Sequence, residues 1–147
     1  MQTKLLNPGP PRIYAVVLET GEEVVDGLTR FARAEKLDAS QLSAIGAFSR
    51  AVLGFFDFAR KDYKRIAVEE QVELVSLLGD IALEDGKPKL HAHVTLGRAD
   101  GSTRGGHLLE AIVHPTLEVI VTESPAYLRR EHDAETGLAL IRTGETI

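Results

Sequence analysis

The chain has 147 residues, the size of one domain, and its content of 44% hydrophobic and 27% charged residues is that of an ordinary globular protein. These proportions exclude a disordered, collagen-like or coiled-coil chain. The net charge of -5, from 22 acidic and 17 basic side chains, excludes a general attraction to nucleic acid or anionic lipid, so DNA binding would require a local basic patch.

The chain contains no cysteine, which excludes a disulfide framework and a thiolate metal site. A metal ion would have to be held by imidazole and oxygen ligands. The sequence has no apolar run of signal-peptide length at its start and no stretch approaching the ~20 apolar residues that span a bilayer. We therefore expect a cytoplasmic protein with no membrane partner.

Residues 1–11 end in Pro-Gly-Pro-Pro and predict an N-terminal tail or extended lead-in, followed by a single domain over residues 12–147. The β-branched and aromatic run at residues 13–18 predicts a strand. Thr20 and Glu23 then predict the N-cap and capping box of a helix. Apolar residues recur at helical spacing, which makes this helix amphipathic and places it against a sheet: Val24, Leu28, Phe31 and Ala32.

Short strand-like runs follow the helix. They cover residues 41–48, 51–58, 63–68, 72–83, 90–96, 108–113 and 117–122. Their short connections leave no room for parallel crossovers, so we expect an α+β fold: a mostly antiparallel sheet of about seven strands with one main amphipathic helix. Gly79 predicts a bulge or bend. Short flanking helices are expected, one of them over residues 126–133, and a last strand over residues 138–142.

The run at residues 90–96 carries the most informative side chains. Apolar residues alternate with His91, His93 and Thr95, so the apolar set faces a core and both histidines face away from it. A third histidine, His107, follows two glycines that permit a tight backbone path. Three neutral imidazoles form a recognised zinc site with a fourth position open to water or substrate. The pattern predicts a divalent metal site, and the alternative interpretation is ordinary polar surface.

Other polar residues are weaker candidates. His114 precedes a proline and is expected at a turn, and His132 lies in a charged stretch and is expected on the solvated surface. Four carboxylates are candidates for a supporting role or a general base, and the sequence alone does not choose among them: Asp80, Asp100, Glu110 and Glu118. The chain has no serine in a nucleophile-elbow context and no Walker or dinucleotide-binding glycine pattern.

Basic residues form two clusters, which are Arg60, Lys61, Lys64 and Arg65 in the first and Arg129 and Arg130 in the second. Acidic residues interleave with both clusters and cancel much of the field that would attract phosphates. DNA binding by one subunit is therefore weakly supported, although an oligomer could concentrate these charges differently.

Five segments resemble, in order and spacing, the plant and prokaryote conserved (PPC) domain family, which is also found attached to AT-hook DNA-binding proteins. They are Thr-Gly-Glu-Glu at 20–23, Leu-Ser-Ala-Ile-Gly-Ala-Phe at 42–48, Val-Glu-Leu-Val-Ser-Leu-Leu-Gly at 72–79, His-Ala-His-Val-Thr-Leu-Gly at 91–97 and Gly-Gly-His-Leu at 105–108. The resemblance covers about residues 12–123, with Asp80 where the family often has asparagine. It implies an antiparallel sheet flanked by helices, a homotrimer, and an association with DNA. The AT-hook core Arg-Gly-Arg-Pro is absent from this chain, so the DNA-binding role transfers poorly.

The fold implied by this resemblance is also similar to that of acetolactate decarboxylase, in which a His-x-His strand and a later histidine hold zinc. By that analogy His91, His93 and His107 match the ligand pattern. We therefore expect a homotrimeric PPC-domain protein with a three-histidine divalent metal site, zinc in first place, and a small-molecule lyase or hydrolase activity. The alternative is a DNA-binding or transcription-associated regulatory module without catalysis, in which the histidines only fasten the trimer or the sheet.

Self-association has some support in the residues themselves. Strand-like runs with apolar residues on both faces, such as residues 51–58, offer more hydrophobic surface than one small core uses. Some of this surface is expected to meet a partner subunit.

Overall fold

The chain folds into nine strands and one helix within residues 1–143, which are the residues that the computed structural model describes. The elements are β1 Gln2–Asn7, β2 Ile13–Glu19, α1 Val24–Ala34, β3 Ala39–Asp57, β4 Asp62–Val68, β5 Val72–Glu84, β6 Lys87–Gly97, β7 Thr103–Glu123, β8 Arg129–His132 and β9 Ala139–Arg142. The last four residues of the predicted domain, 144–147, lie outside the described residues. The helix has neither the length nor the apolarity that crossing a membrane requires.

All nine strands belong to one sheet in the order β1-β2-β7-β3-β5-β8-β9, with β4 paired to β3 and β6 paired to both β5 and β7. Because β3 also pairs with both β5 and β7, the strands β3, β5, β6 and β7 close a ring of hydrogen-bonded pairs. The prediction of a mostly antiparallel sheet with one main helix is confirmed. The sheet is nevertheless mixed, because the short pairing of β5 with β8 is parallel.

Several predicted elements differ from the observed ones. The runs predicted at 41–48 and 51–58 form the single strand β3, and those at 108–113 and 117–122 form β7. Register shifts between β3 and β7 absorb the extra residues, so both strands continue across the predicted breaks. The short helix predicted over 126–133 is wrong, because this segment pairs with β5 and β9 as strand β8. The predicted last strand is confirmed as β9. No flanking helix occurs among residues 1–143.

The N-terminal segment was predicted to be a tail or an extended lead-in. It is extended, and it is not a free tail. Strand β1 pairs with β2 along its length and forms an outer edge of the sheet. The prolines of residues 8–11 lie in the connection between β1 and β2, where no strand hydrogen bond has to be donated.

The helix has the predicted amphipathic character but begins at a different cap. The predicted apolar positions are buried: Val24, Leu28, Phe31 and Ala32. The N-cap is Glu23, whose carboxylate accepts a hydrogen bond of 2.7 Å from the backbone N–H of Asp26. The predicted cap Thr20 instead donates its hydroxyl to the carbonyl oxygen of Pro115 at 3.0 Å. This contact ties the residues before the helix to β7.

Gly79 does not form the predicted bulge or bend. It pairs in register with Leu42 of β3 and Ala92 of β6, and the irregularity of β5 lies between Leu74 and Ser76. A Cβ atom at Gly79 would lie 2.5 Å from the carbonyl oxygen of His91. The backbone of β6 therefore approaches residue 79 so closely that it leaves no room for a side chain there. Glycine is required at this position.

Replacing Gly79 with alanine is expected to destabilise the protein by about 1–3 kcal/mol, because the added methyl group has to displace the backbone of β6. Thermal unfolding measures this effect, and the melting temperature of a chain of this size falls by about 2–4 °C for each kcal/mol. Gly9→Ala is the matched control, since its nearest contact would be an ordinary 3.8 Å. Equal melting temperatures for the two variants would contradict the packing argument.

Candidate metal centre

The alternation predicted for residues 90–96 is confirmed in β6. Its apolar side chains are buried, at Leu90, Ala92, Val94 and Leu96. The side chain of His93 is exposed, and those of His91 and Thr95 are half-buried. His93 lies directly opposite His107 of β7, and residues directly opposite each other in an antiparallel pair share a face. The sheet register therefore places all three histidines on one side.

The three imidazoles converge. Each offers one ring nitrogen, and these nitrogens lie within 4.8 Å of one another. The ring centroids are 5.1 Å apart for His91 and His93, 5.1 Å for His91 and His107, and 5.5 Å for His93 and His107. Zinc binds imidazole nitrogen at about 2.0–2.1 Å, so tetrahedral ligands are about 3.3 Å apart and small ring rotations close the site.

His107 is the most enclosed of the three. Its Nδ1 atom is buried and has no hydrogen-bond partner among residues 1–143. Its ring stacks on that of Tyr63, with centroids 4.7 Å apart and planes at 24°. Burial, and then the positive charges that His91 and His93 can carry, lowers the pKa of His107 to about 4. This ring is therefore neutral at pH 7, which is the form that binds metals.

His91 is held by a buried ion pair. Its Nδ1 atom lies 3.6 Å from a carboxylate oxygen of Asp80 and 3.1 Å from the Nη2 atom of Arg130. Arg130 also donates to Asp80 at 2.6 Å, and its side chain is 7% exposed. Burial opposes the ionisation of Asp80, but hydrogen bonds with His91 and Arg130 outweigh it and lower the pKa of this carboxyl. The Nη2 atom of Arg130 can only donate, so its contact with His91 pairs with an unprotonated Nδ1, whereas a proton on Nδ1 directed at Asp80 would leave Nε2 free to bind a metal.

Of the four candidate carboxylates, the structure brings Asp80 to the histidines, because Asp80 of β5 pairs directly with His91 of β6. Glu110 forms an ion pair of 2.8 Å with Arg50, and Asp100 accepts hydrogen bonds from Ser102 in the loop after β6. Glu118 is exposed on β7 opposite Ile45.

His132 is exposed, as predicted. His114 is also exposed, but the prediction of a turn is wrong because it lies within β7. Both lie outside the three-histidine group. Within residues 1–143 this group is the one arrangement of three or more histidines and carboxylates with the spacing of a metal site.

Two residues that contact the cluster were missed by the sequence interpretation. Arg130 was assigned to a basic surface patch, whereas it is buried against Asp80 and His91. Tyr63, at the start of β4, stacks on His107. No local signal identifies either residue, because both positions depend on how β4 and β8 pair with other strands.

A cavity of about 860 Å³ opens beside the three histidines. Its apolar wall includes Phe55, Phe56, Tyr63, Leu109 and Leu140. Its charged side chains are Lys61, Asp62, Glu84, Lys89 and Arg130. A metal ion bound to the histidines would therefore face a space of the size that small molecules occupy.

Comparison with known proteins identifies relatives that share this fold. A plant- and prokaryote-conserved protein of Pyrococcus horikoshii has a TM-score of 0.85 at 30% identity, over 99% of this chain and 97% of that chain. A metal-containing protein of Archaeoglobus fulgidus has a TM-score of 0.83 at 33% identity, over 97% of each chain. A candidate DNA-binding protein of Bacteroides thetaiotaomicron has a TM-score of 0.85 at 28% identity, over 95% and 96% of the two chains.

More distant similarity concerns the fold alone. Acetolactate decarboxylase of Bacillus subtilis has a TM-score of 0.58 at 11% identity, over 89% of this chain and 61% of that chain. The predicted similarity to this fold is confirmed.

Sequence comparison gives the family. The bifunctional protein GlmU of Synechococcus sp. strain JA-2-3B'a(2-13) is 34% identical over 133 residues, which are 88% of this chain and 20% of that protein. This chain thus spans about a fifth of the length of the curated relatives it matches. The sequence profile of the Plants and Prokaryotes Conserved (PCC) domain, the family also abbreviated PPC, matches residues 6–125, and the chain therefore belongs to this family.

Proposed function

We propose that this protein binds one divalent metal ion through His91, His93 and His107, with one coordination position open to water or a small molecule. Zinc is the leading candidate for this ion. The observation that carries the proposal is the convergence of three ring nitrogens within 4.8 Å. The buried, unpartnered Nδ1 atom of His107 fits a ligand set that is completed by a metal ion. The similarity to a metal-containing protein of Archaeoglobus fulgidus supports the same assignment.

The enzymatic form of the proposal is a small-molecule lyase or hydrolase. A bound zinc ion acts as a Lewis acid or lowers the pKa of bound water. The contribution of the chain is positional: Asp80 and Arg130 fix the ring of His91, and Tyr63 packs against His107. The cavity beside the cluster admits a small ligand to that position.

Elemental analysis of protein purified without chelator and without affinity histidines tests the metal assignment. We expect close to one zinc ion per chain. Three imidazoles also accept nickel, iron and copper, so the same measurement identifies the metal. Protein that takes up none of these ions, even when incubated with an excess, would contradict the proposal.

We include a homotrimer in the proposal, because the outer face of the sheet is apolar beside the metal centre. Exposed apolar side chains lie on neighbouring strands of this face: Ile45, Val75, Leu78 and Ile120. The register places Ile120, Ser43, Leu78 and His93 in one row across β7, β3, β5 and β6. A partner subunit on this outer sheet face would lie next to His93. The trimeric state is the one that the family resemblance implies.

DNA binding is the second candidate function, favoured by the similarity to a candidate DNA-binding protein of Bacteroides thetaiotaomicron. Arg60, Lys64 and Arg65 are exposed near β4, but Asp57 and Asp62 pair at the same end of β3 and β4. Arg130 no longer belongs to the basic surface, since it is buried. Gel shifts on mixed-sequence DNA over a range of salt concentrations test this function. Retardation at physiological salt that disappears in Lys64→Glu would support it.

A further inference from the structure

We propose that the cavity beside the histidines binds a small organic acid, with its carboxylate near Arg130 and Lys89 and its apolar body against the aromatic wall. The inference rests on the proposed metal function, because it assigns the ligand class of the same site. Three observations carry it: the size of the cavity, the charges in its lining and the nature of its wall.

The size of the cavity fits a small molecule. Its volume of about 860 Å³ lies in the upper part of the range of about 300–1,000 Å³ that small-molecule sites occupy. The three histidines form part of its lining. A ligand in this space is therefore placed beside the coordination position that the histidines leave open.

The lining contains three cationic side chains, and a metal ion at the histidines would make the site favour an anion. Lys89 pairs with Glu84 at 3.3 Å and Arg130 pairs with Asp80 at 2.6 Å, so the net positive charge would come from the metal ion while Lys61, Lys89 and Arg130 supply the hydrogen-bond donors. The side chain of Lys89 lies on the same face of β6 as those of His91 and His93, because side chains at every second position of a strand share a face.

Arg130 is the most firmly held side chain of the proposed anion site. Its side chain is 7% exposed, its Nη2 atom donates to Asp80 and its Nη1 atom donates to the carbonyl oxygen of Ala139 at 3.1 Å. Its Nε atom is buried without a partner among residues 1–143. A buried guanidinium N–H without an acceptor is costly, and the planar fork of arginine suits a carboxylate. The proposed ligand carboxylate approaches this guanidinium from the cavity, where Arg130 forms part of the lining.

Much of the remaining lining is apolar and aromatic. Phe58 contacts Phe56, Phe56 contacts Tyr63, and Tyr63 stacks on His107, with centroid separations of 5.3, 5.1 and 4.7 Å. Phe55 is 66% exposed at the same cavity, where a ligand could cover it. A polar ligand such as a sugar phosphate would leave this wall without apolar contacts. The wall therefore selects an acid with an aromatic or aliphatic body.

The Arg130 part of the anion site is supplied by a segment beyond the matched family profile, whereas Lys89 lies within it. The profile ends at residue 125, whereas Arg130 lies on β8 and Leu138, Ala139 and Leu140 lie at the start of β9 or just before it. Lys61, from the β3–β4 turn, donates to the carbonyl oxygen of Ala134 at 2.6 Å and so joins this hairpin to the other side of the cavity. The β8–β9 hairpin is thus the specificity-determining element of the site.

Calorimetric titration of the zinc-loaded protein with 3-phenylpropanoate and with its uncharged amide tests the ligand class. We expect the acid to bind about tenfold or more tightly than the amide, because hydrogen bonds to charged groups are the stronger ones. Zinc content is measured on the same sample. A sample that holds no zinc overturns the metal proposal, whereas a zinc-loaded sample with equal or no affinity for the two compounds overturns the ligand class alone.

Zinc itself attracts carboxylates. Variants are therefore needed to distinguish the contribution of the cationic side chains to acid binding from that of the metal. Lys89→Gln is expected to retain zinc and to lose a large part of the preference for the acid. Arg130→Gln also removes a group that positions His91, so its preference for the acid is compared only after its zinc content has been measured and restored to that of the wild type. Leu140→Glu places a negative charge on the wall, and Leu140→Gln is its uncharged match of the same shape. We expect the Glu variant to bind the acid about tenfold more weakly than the Gln variant does, with equal affinity for the amide. A preference that is unchanged in all of these variants overturns the assignment to Arg130 and Lys89.

Discussion

Replacing His93 with alanine is expected to lower the affinity for zinc at least about a hundredfold, because the loss of an outer-sphere partner alone costs about 10–100-fold and a direct ligand contributes more. The fold should not suffer, since the His93 side chain is exposed and its neighbours Ala92 and Val94 stay buried. Competition with a fluorescent chelator measures the affinity. Thermal unfolding of the metal-free protein, wild type against variant, checks that the fold is intact.

His132→Ala and His114→Ala are the matched controls. Both side chains are exposed histidines outside the three-histidine group, so both variants are expected to bind zinc as the wild type does. If either control loses zinc to the same degree as His93→Ala, the ion is held by scattered surface histidines. If His93→Ala keeps its zinc, the converging rings are not the site.

The part of the proposed ligand set that lies on β6 was predictable because it follows from strand periodicity. Alternation at residues 90–96 places His91 and His93 on one face whatever the partner strands are. His107 was predicted from the glycine pair before it, and its location on this face depends on the pairing of His93 with His107. The sequence shows that His107 is present, but it does not determine which residue of β6 lies opposite it. The convergence of the three rings was therefore a hypothesis until the strands were paired.

Of the supporting residues, Asp80 was only one of four candidate carboxylates and Arg130 was not predicted, for the same physical reason. Asp80 is 11 residues before His91 in the chain and becomes its neighbour only through the β5–β6 register. Arg130 reaches the site through a parallel pairing of two residue pairs between β5 and β8. The charged residues around Arg130 in the sequence are typical of a solvated surface. The side chain of Arg130 is nevertheless buried. Long-range pairing overrode the local pattern in both cases.

Replacing Leu78 with glutamate is expected to convert the proposed trimer into monomers. Leu78 is 62% exposed in the single chain and lies between Ser43 and His93 in the apolar row of the outer sheet face. A carboxylate buried at an interface without a partner costs several kcal/mol for each subunit, which is enough to dissociate most oligomers of this size. The monomer should keep its fold because Leu78 takes little part in its core. Light scattering after size-exclusion chromatography measures the mass.

The control is Phe58→Glu, which also places a carboxylate on an exposed apolar side chain but in the turn after β3, beside Phe56, rather than in the row that contains Leu78. This variant should keep the mass of the wild type. A wild-type protein of single-chain mass, or a Leu78→Glu variant that stays assembled, would contradict the proposed interface.

The same Leu78→Glu variant separates two roles for the histidines. All three ligands come from one chain, so a monomeric variant is expected to bind zinc with nearly the wild-type affinity. If the histidines only fasten the trimer, dissociation should abolish zinc binding together with assembly. Zinc that stays on the monomer therefore favours a metal centre whose open position faces the cavity, because the ion then has no structural task between subunits.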